Sequence, residues 1–316
     1  MAAFAMLSRR AFAIGLLVWT GSVSAHVLSA DERSAPVIRW TFEPWVVVLM
    51  LASLLLYAIG YVRLRRRSRR GRPVHATQLA AFMVGWLALV AALLSPLDAL
   101  SAALFSAHMV QHELLMIVAA PLLVVGRPLG VWMWAFPRTP REQLGRTVRS
   151  RWVKTPWNWL TAPIIAWMLH AAALWAWHAP VLFEAALLNP GIHTLQHASF
   201  LVSALLFWWT IFGETARRQH GAHAMLSLFT TMVHTGALGA LLTLAPGLWY
   251  PGYVESTTAL GFDPLQDQQL GGLIMWVPAG LAYVIGALAV SARWLMRRPA
   301  PNFSNVPMSA RQDRRT

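Results

Sequence analysis

The chain has 316 residues, of which 57% are hydrophobic and only 12% are charged, with a mean hydropathy of +0.50. This composition excludes an ordinary soluble domain and is typical of a polytopic membrane protein. The formal charge of +14 comes from short basic runs between apolar segments, which favours membrane topology over nucleic-acid binding. Cysteine is absent from the sequence, which excludes disulfides and thiolate metal ligands.

The first 25 residues have the order of a secretory signal peptide. Arg9 and Arg10 precede an apolar stretch, and small residues offer a cleavage position after Ala25. Cleavage there leaves 26–44 as a periplasmic N-terminal segment. The paired arginines also fit a twin-arginine signal, and an uncleaved first transmembrane helix is the alternative.

Seven apolar segments of about 20 residues are each long enough to cross a bilayer as a helix. They predict an all-α, polytopic membrane helix bundle over 45–295, placed after the signal-like segment and followed by a disordered cytoplasmic tail over 296–316. The predicted spans are 45–62, 77–97, 104–125, 158–178, 193–213, 224–245 and 270–294.

Basic residues alternate between the connections of these spans. Seven Arg lie in 63–72, six Arg and one Lys in 127–154, two Arg in 214–220 and six in 293–315, which together make 22 of the 26 basic residues. The connections on the other side carry no Lys or Arg. The positive-inside rule therefore predicts a bacterial inner-membrane protein with these runs in the cytoplasm, where 127–154 contacts anionic membrane lipids.

Histidines gather at the periplasmic ends of the predicted spans. His108 and His112 lie in the outer turns of the third span, His178 ends the fourth, and His193 and His197 begin the fifth. HMVQH and HTLQH share the pattern H-x-x-Q-H, which places each pair on one helical stripe about 6 Å apart. Such a pair can clamp one metal ion or face the other pair across a helix interface.

The ligand types favour copper. Met116 continues the stripe of His108 and His112 by one more turn. Imidazole and thioether together suit copper, Cu(I) in particular, whereas zinc more often uses cysteine or carboxylate, and magnesium or calcium use oxygen. Hydrogen bonding between helices is the alternative role for the histidines, because polar groups within a span can serve packing alone.

Further polar residues and one methionine are candidates around this cluster. Glu113 fits a counter-charge, and Gln111 and Gln196 fit either hydrogen bonding to a ligand or helix packing. Three polar residues near the start of the last span are predicted to cap its N-terminus and to lie at the mouth of the cluster. The remaining candidates are Asp267, Gln268 and Gln269 in that group, Met275 on the face of Gln268, and the deeper His170 and His234.

Five long segments follow one another within about 75–295: HMVQHELLMIVAAPLLVVGRPL, ALWAWHAP, HTLQHASFLVSALLFWW, MVHTGALGALLTLAP and DPLQDQQLGGLIMWVPAG. Taken in this order they resemble the CtaG-type cytochrome c oxidase assembly factors, which are seven-helix bacterial membrane proteins. The resemblance implies a role in assembling haem-copper oxidases, by supplying copper to the nascent enzyme. The residues that the resemblance implies for the site are His108, His112, His178, His193, His197 and His234, with Asp267, Gln268 and Gln269.

We therefore expect copper to arrive from a periplasmic donor, bind the histidine cluster and pass to an oxidase subunit. Catalysis is not expected, because no serine, cysteine or paired-carboxylate constellation is present in the sequence. A b-type cytochrome, with haem held between two histidines, is the first alternative. A copper transporter is the second, and it requires polar groups that continue toward the cytoplasm.

Overall fold

The computed structural model describes residues 39–67, 72–213 and 221–296. Within these ranges every regular element is a helix, which confirms the predicted all-α class. The predicted signal peptide, most of the N-terminal segment before residue 44 and nearly all of the tail lie outside the described residues.

Among the described residues six helices are long and apolar enough to cross a membrane, and the number is up to seven if a bent helix pair counts as one span. The chain is thus a multi-pass membrane protein, as predicted. We number the spans in chain order: Pro44–Arg67, Ala76–Leu93 within the helix Arg72–Leu93, Phe105–Gly126, Arg151–Leu160 with Pro163–His178, Pro190–Phe212, Ala222–Thr243 and Pro264–Leu295. Shorter helices connect them at Pro96–Ser101, Pro128–Met133, Arg138–Arg149, Pro180–Leu188, Pro251–Tyr253 and Val254–Ala259.

Span 4 is not the single straight helix that was predicted over 158–178. Its two helices, Arg151–Leu160 and Pro163–His178, meet at an angle of 64°. Pro163 has no N–H to continue a helical ladder, and the residue before a proline is driven toward extended geometry. Ala162 has that geometry, with φ −66° and ψ 131°, so the helix breaks there and restarts with proline in its first turn.

Span 3 also departs from a continuous α-helix. A π-helix over Leu114–Ala119 separates the α-helical parts Phe105–Glu113 and Ala120–Gly126. Pro121 cannot donate the backbone hydrogen bond that an α-helix requires, and the π turn lies immediately before it. The helical stripe that begins at His108 therefore does not continue with α geometry past Glu113.

Span 3 lies at the centre of the bundle. Of its most apolar window 61% is buried, against 28% for spans 1 and 7, so it is surrounded by protein rather than lipid. It contributes Phe105, Met109 and Met116 to an apolar cluster with spans 4 to 7. It contributes Leu115 and Ala119 to a second cluster with spans 1 and 2.

Two arginines near the ends of odd-numbered spans each bond the chain at or just beyond the end of another odd-numbered span. Arg63, near the end of span 1, donates through Nη1 to the carbonyl of Ala135, beyond the end of span 3, at 2.6 Å. Arg293, near the end of span 7, donates through Nη2 to the carbonyl of Ile211, at the end of span 5, at 2.9 Å. We call this the arginine end of the bundle, and the opposite end, which carries His108, the histidine end.

Spans 6 and 7 approach each other closely through glycines. A Cβ added to Gly272 would lie 2.5 Å from the backbone nitrogen of Thr243 and 2.8 Å from the carbonyl oxygen of Gly239. Small residues allow such backbone contact between membrane helices, whose attraction comes from close packing rather than from hydrophobic burial. Gly280 lies two turns further along span 7, and a Cβ added there would have no neighbouring atom within 4 Å.

We expect Gly272→Ala to separate spans 6 and 7 and to lower the free energy of unfolding by about 1–3 kcal/mol, the usual range for overpacking. Gly280→Ala is the matched control, and it should change stability by less than about 1 kcal/mol because alanine has better helix propensity. Unfolding of the purified protein in mixed detergent and SDS micelles measures both. Equal stabilities for the two variants would show that the close approach is not a constraint.

Candidate metal centre

Five histidines meet at the histidine end of the bundle. His108 and His112 come from the first turns of span 3, His178 is the last residue of span 4, and His193 and His197 come from the first turns of span 5. Each of the five side chains is buried. Span 5 begins where it does because Asn189 accepts the backbone N–H groups of the following turn at 2.9 and 3.2 Å.

The two H-x-x-Q-H pairs face each other across the interface between spans 3 and 5. Within each pair the ring centroids are close, at 4.3 Å for His108 and His112 and 4.2 Å for His193 and His197. Between the pairs, His108 lies 5.4 Å from His193, and His112 lies 5.4 Å from His197. The fifth ring, His178, lies 6.0 Å from His112.

Three of these rings offer nitrogens to a common point. One nitrogen from each of His108, His193 and His197 lies within 4.8 Å of the others, so the three could hold one metal ion. Two of the three come from span 5 and one from span 3. His112 and His178 lie beside this triad rather than in it.

Hydrogen bonds fix the tautomer of His108. Tyr253 donates its hydroxyl proton to the carbonyl of Ser101 at 3.0 Å, so its oxygen is left to accept from His108 Nδ1 at 2.9 Å. The proton of a neutral imidazole is then on Nδ1, and Nε2 carries a lone pair. That Nε2 is buried and has no hydrogen-bond partner in the described part of the chain, so its lone pair is available to a ligand-binding role.

His178 is oriented in the same way by its own helix. Its Nδ1 lies 2.7 Å from the carbonyl oxygen of Leu174, and because a carbonyl can only accept, Nδ1 carries the proton. The Nε2 atom is again buried, and among the described residues it has no partner. Tyr250 donates to the backbone carbonyl of His178 at 2.8 Å, which holds the end of span 4 in place.

Aromatic rings pack around the cluster. Phe183 lies 5.1 Å from His108, and Phe200 lies 4.6 Å from His112, between ring centroids. Both phenylalanines are fully buried, so they remove solvent from the imidazoles they contact. Within the described ranges, the buried imidazole nitrogens here without a hydrogen-bond partner are His108 Nε2, both nitrogens of His112, His178 Nε2 and His197 Nε2.

Met116 and Glu113 make contacts with other spans. Met116 is buried in the apolar cluster shared by spans 3 to 7, and its backbone carbonyl accepts from Trp208 Nε1 at 2.9 Å. The prediction of Met116 as a third step below His112 assumed α geometry, and the π turn that begins at Leu114 removes that basis. Glu113 is buried on a different face, within electrostatic range of Tyr283 in span 7.

The two glutamines of the repeated pattern behave differently. Gln111 donates through Nε2 to the carbonyl of Ala92 at 2.7 Å and to Asp98 Oδ1 at 2.8 Å. It therefore packs span 3 against the end of span 2, which was the alternative to bonding a ligand. Gln196 is fully buried beside His108.

Asp267 was predicted to cap its own helix, span 7. It instead caps the N-terminus of span 3. Its carboxylate accepts from the backbone N–H of Phe105 at 2.7 Å and of Ser106 at 3.3 Å, and from the Ser106 hydroxyl. Asp263 caps span 7 instead, by accepting from the N–H of Gln266 at 2.8 Å. Because span 7 begins at Pro264, earlier than predicted, Asp267 already lies within the first helical turn, and its carboxylate bonds the neighbouring span 3.

Gln268 and Gln269 form hydrogen bonds with the chain that follows span 6, and not with the N-terminus of span 7. Gln268 accepts from the N–H of Trp249 at 2.6 Å and donates to the carbonyl of Gly247 at 3.2 Å. Gln269 donates to the carbonyl of Ala245 at 3.1 Å. These bonds position the chain that leads to Tyr250 and Tyr253.

The deeper candidates lie away from the triad. His170 is buried against Phe207 and bonds Ser203 Oγ through Nδ1 at 3.3 Å. His234, half-buried in span 6, lies with its ring edge toward Trp167. Met275 is buried in the apolar cluster of span 7.

Residues 55–297 match the family model described as "Cytochrome c oxidase caa3 assembly factor". The chain belongs to this family. No solved structure matches this chain.

Curated relatives of this family member occur in mycobacteria. Uncharacterised proteins of Mycobacterium bovis and Mycobacterium tuberculosis are each 29% identical over 286 residues, covering 87% of this chain and 40% of theirs. A third, from Mycobacterium leprae, is 25% identical over 265 residues, covering 81% of this chain and 39% of its own. The chain thus spans about two fifths of the length of the curated relatives it matches.

Sequence reasoning missed two residues that shape the site of this assembly factor family member. Tyr253 lies in a short helical turn of the connection between spans 6 and 7, and no period in the sequence indicates that it will fold over His108. Asp98 gave a clearer signal, because it is an isolated acid in a connection without Lys or Arg, and it is in fact buried. Both depend on loops that fold back onto the bundle.

We expect Asp267→Ala to destabilise the protein more than Asp263→Ala. Loss of a helix cap costs about 0.5–2 kcal/mol, and Asp267 is buried and bonds two backbone groups of the central span. Asp263 is an exposed cap of span 7 and serves as the control. Midpoints of thermal unfolding in detergent give the comparison; a larger shift for Asp263→Ala would contradict the assignment of Asp267 as the cap of span 3.

Proposed function

We propose that this member of the caa3 assembly factor family binds a copper ion at the histidine cluster and delivers it to a haem-copper oxidase. The observation that carries the proposal is the triad of His108, His193 and His197, whose nitrogens lie within 4.8 Å of one another in a buried setting. Family membership supports the involvement of a caa3 oxidase. The protein acts as an assembly factor and not as an enzyme.

The donor set supports copper as the ion. All three ligands are imidazole nitrogens, a type that suits copper and zinc but not magnesium or calcium. Among divalent ions, nitrogen sites bind copper more tightly than zinc. The resemblance to assembly factors of haem-copper oxidases also favours copper.

Each of the five histidines has a distinct role in this proposal. The triad holds the ion, and Tyr253 keeps the proton of His108 on the nitrogen that faces away. His112 and His178, next to the triad, provide nitrogens to which the ion can move without leaving the cluster. Ligand exchange in small steps is how a carrier releases a tightly bound ion.

The charge pattern supports an outward-facing cluster. With the arginine end in the cytoplasm, the histidine end lies at the periplasmic surface, where copper arrives from a donor. Release to an oxidase subunit then takes place at this end of the bundle. The curated relatives are longer than this chain, so the delivery we propose concerns the part that this chain shares with them.

The geometry favours one ion over haem or a transport path. Haem iron takes one imidazole on each face of its ring, whereas the triad nitrogens all lie close to one point. A red protein with a Soret band would identify the cytochrome alternative. Copper uptake into vesicles that contain the purified protein would identify a transporter.

Replacing His108, His193 and His197 together by alanine should remove stoichiometric copper from the detergent-purified protein, because no ligand of the triad remains. The measurement is metal content by mass spectrometry after loading with Cu(I) and desalting. His223→Ala is the matched control, since His223 is exposed near the arginine end of span 6. Full copper content in the triple variant would refute the site.

Tyr253→Phe should weaken copper binding about 10–100-fold, the usual effect of losing a group that orients a histidine ligand. The hydroxyl that accepts from His108 Nδ1 is lost, so the ring is free to turn and to change tautomer. Competition with a Cu(I) chelator measures the affinity. Tyr61→Phe, in span 1, is the control; equal affinities for the two variants would remove Tyr253 from the site.

A further inference from the structure

Gln196, in the first turns of span 5, has a fully buried side chain whose polar atoms are unused. Within the described residues, neither its Oε1 nor its Nε2 has a hydrogen-bond partner. Buried side-chain amides are nearly always hydrogen-bonded, because an amide that leaves water without a partner loses its hydration and gains nothing in return. The side chain of Gln196 therefore indicates a ligand that the protein does not itself supply.

The corresponding glutamine of the other H-x-x-Q-H pattern has a packing role. Gln111 is equally buried, but its Nε2 donates to the carbonyl of Ala92 at 2.7 Å and to Asp98 Oδ1 at 2.8 Å. Both amide hydrogens of Gln111 are thus used to join spans 2 and 3, although its Oε1 accepts no bond in the described part of the chain. Gln196 has no such anchor, so packing between helices does not account for it.

Gln196 lies beside the histidine triad. It directly precedes His197 and follows His193 by three residues, a spacing that makes Gln196 and His193 neighbours on the helix surface. Across the interface between spans 3 and 5, its side chain comes within interaction range of the His108 ring. The amide therefore lies next to the place where these three rings would hold an ion.

We propose that Gln196 binds the copper ion through Oε1 as a fourth ligand beside the triad, and that it thereby favours Cu(II) over Cu(I). This inference rests on the proposed function of the cluster. Three protein ligands leave a fourth position of a tetrahedral ion open. An amide fills such a position with its oxygen, because its N–H2 group can only donate hydrogen bonds.

The donor atoms set the preference between the two oxidation states. Nitrogen and oxygen donors together are typical of Cu(II), whereas thioether and thiolate sulfur select Cu(I). The sequence favoured Cu(I) because Met116 was expected on the stripe of His108 and His112. The π turn that begins at Leu114 removes the basis for that thioether ligand. The amide oxygen of Gln196 thus replaces a soft donor with a hard one in the predicted set.

The ratio of the Cu(II) and Cu(I) affinities tests this proposal. Full-length protein in detergent is titrated with Cu(II), and separately with Cu(I) under ascorbate, each in competition with a chelator of known affinity. Gln196→Leu removes the oxygen and nearly keeps the size of the side chain. It should weaken Cu(II) binding at least about tenfold, the lower bound for losing a group that supports a metal ligand, and leave the Cu(I) affinity nearly unchanged. The g∥ and A∥ values of the Cu(II) EPR spectrum should change with it.

Two further variants separate ligation from packing. Gln111→Leu should lower the thermal unfolding midpoint, because the bonds to Ala92 and Asp98 are lost, and leave the affinity ratio unchanged. Gln196→Glu keeps an oxygen at the same distance from the backbone and should restore Cu(II) binding. If Gln196→Leu does not fold, the EPR spectrum of Gln196→Glu decides, because a carboxylate bound to Cu(II) must shift g∥ and A∥ from those of the unmodified protein.

The outcomes distinguish this proposal from the copper centre itself. An unchanged affinity ratio in Gln196→Leu would overturn Gln196 as a ligand and leave the centre intact, whether both affinities stayed the same or fell together. Identical EPR spectra for Gln196→Glu and the unmodified protein would do the same, as would binding of Cu(I) alone by the unmodified protein. Failure of the unmodified protein to bind either ion would overturn both proposals.

Discussion

A buried imidazole nitrogen without a hydrogen-bond partner costs about 1–3 kcal/mol, and the histidine end of this bundle contains several of them. One ion could offset this free-energy cost, because nitrogens from His108, His193 and His197 lie close enough to bind it together. The opposite nitrogens of His108 and His178 are bonded to Tyr253 and Leu174. These bonds keep protons away from the centre, so the cluster is prepared for a cation and not for internal hydrogen bonding.

The same constraint explains why span 3 is the best supported helix of the molecule. It carries two of the histidines, is packed on both sides by apolar clusters, and receives its cap from Asp267 of span 7. Ligand position thus depends on contacts from opposite sides of the bundle. Span 5 meets span 3 through Trp208, whose indole bonds the carbonyl of Met116 within the π turn. The backbone irregularity of span 3 is therefore stabilised by the helix that carries His193 and His197.

Hydropathy and charge predict the spans well because a bilayer imposes length and polarity on every helix that crosses it. The i, i+4 spacing likewise predicts each histidine pair, since neighbours on a helical stripe touch whatever else surrounds them. What could not be predicted depends on local breaks and on loops. Proline at 121 and 163 changed the course of spans 3 and 4. Tyr253, Asp98 and the cap provided by Asp267 are contacts between segments far apart in sequence, which no period reveals.

Because span 4 is broken, the depth of His178 depends on the thickness of the membrane as well as on the protein. Its inner helix, Pro163–His178, has 16 residues and is about 24 Å long at 1.5 Å per residue, less than the roughly 30 Å of a bilayer's hydrocarbon core. The preceding helix, Arg151–Leu160, carries arginine and tryptophan and belongs at the headgroups. A thicker bilayer would therefore hold His178 further below the membrane surface at the histidine end, and a thinner one would bring the cluster toward water. Lipid composition thus becomes a determinant of how far the histidines lie from the aqueous phase.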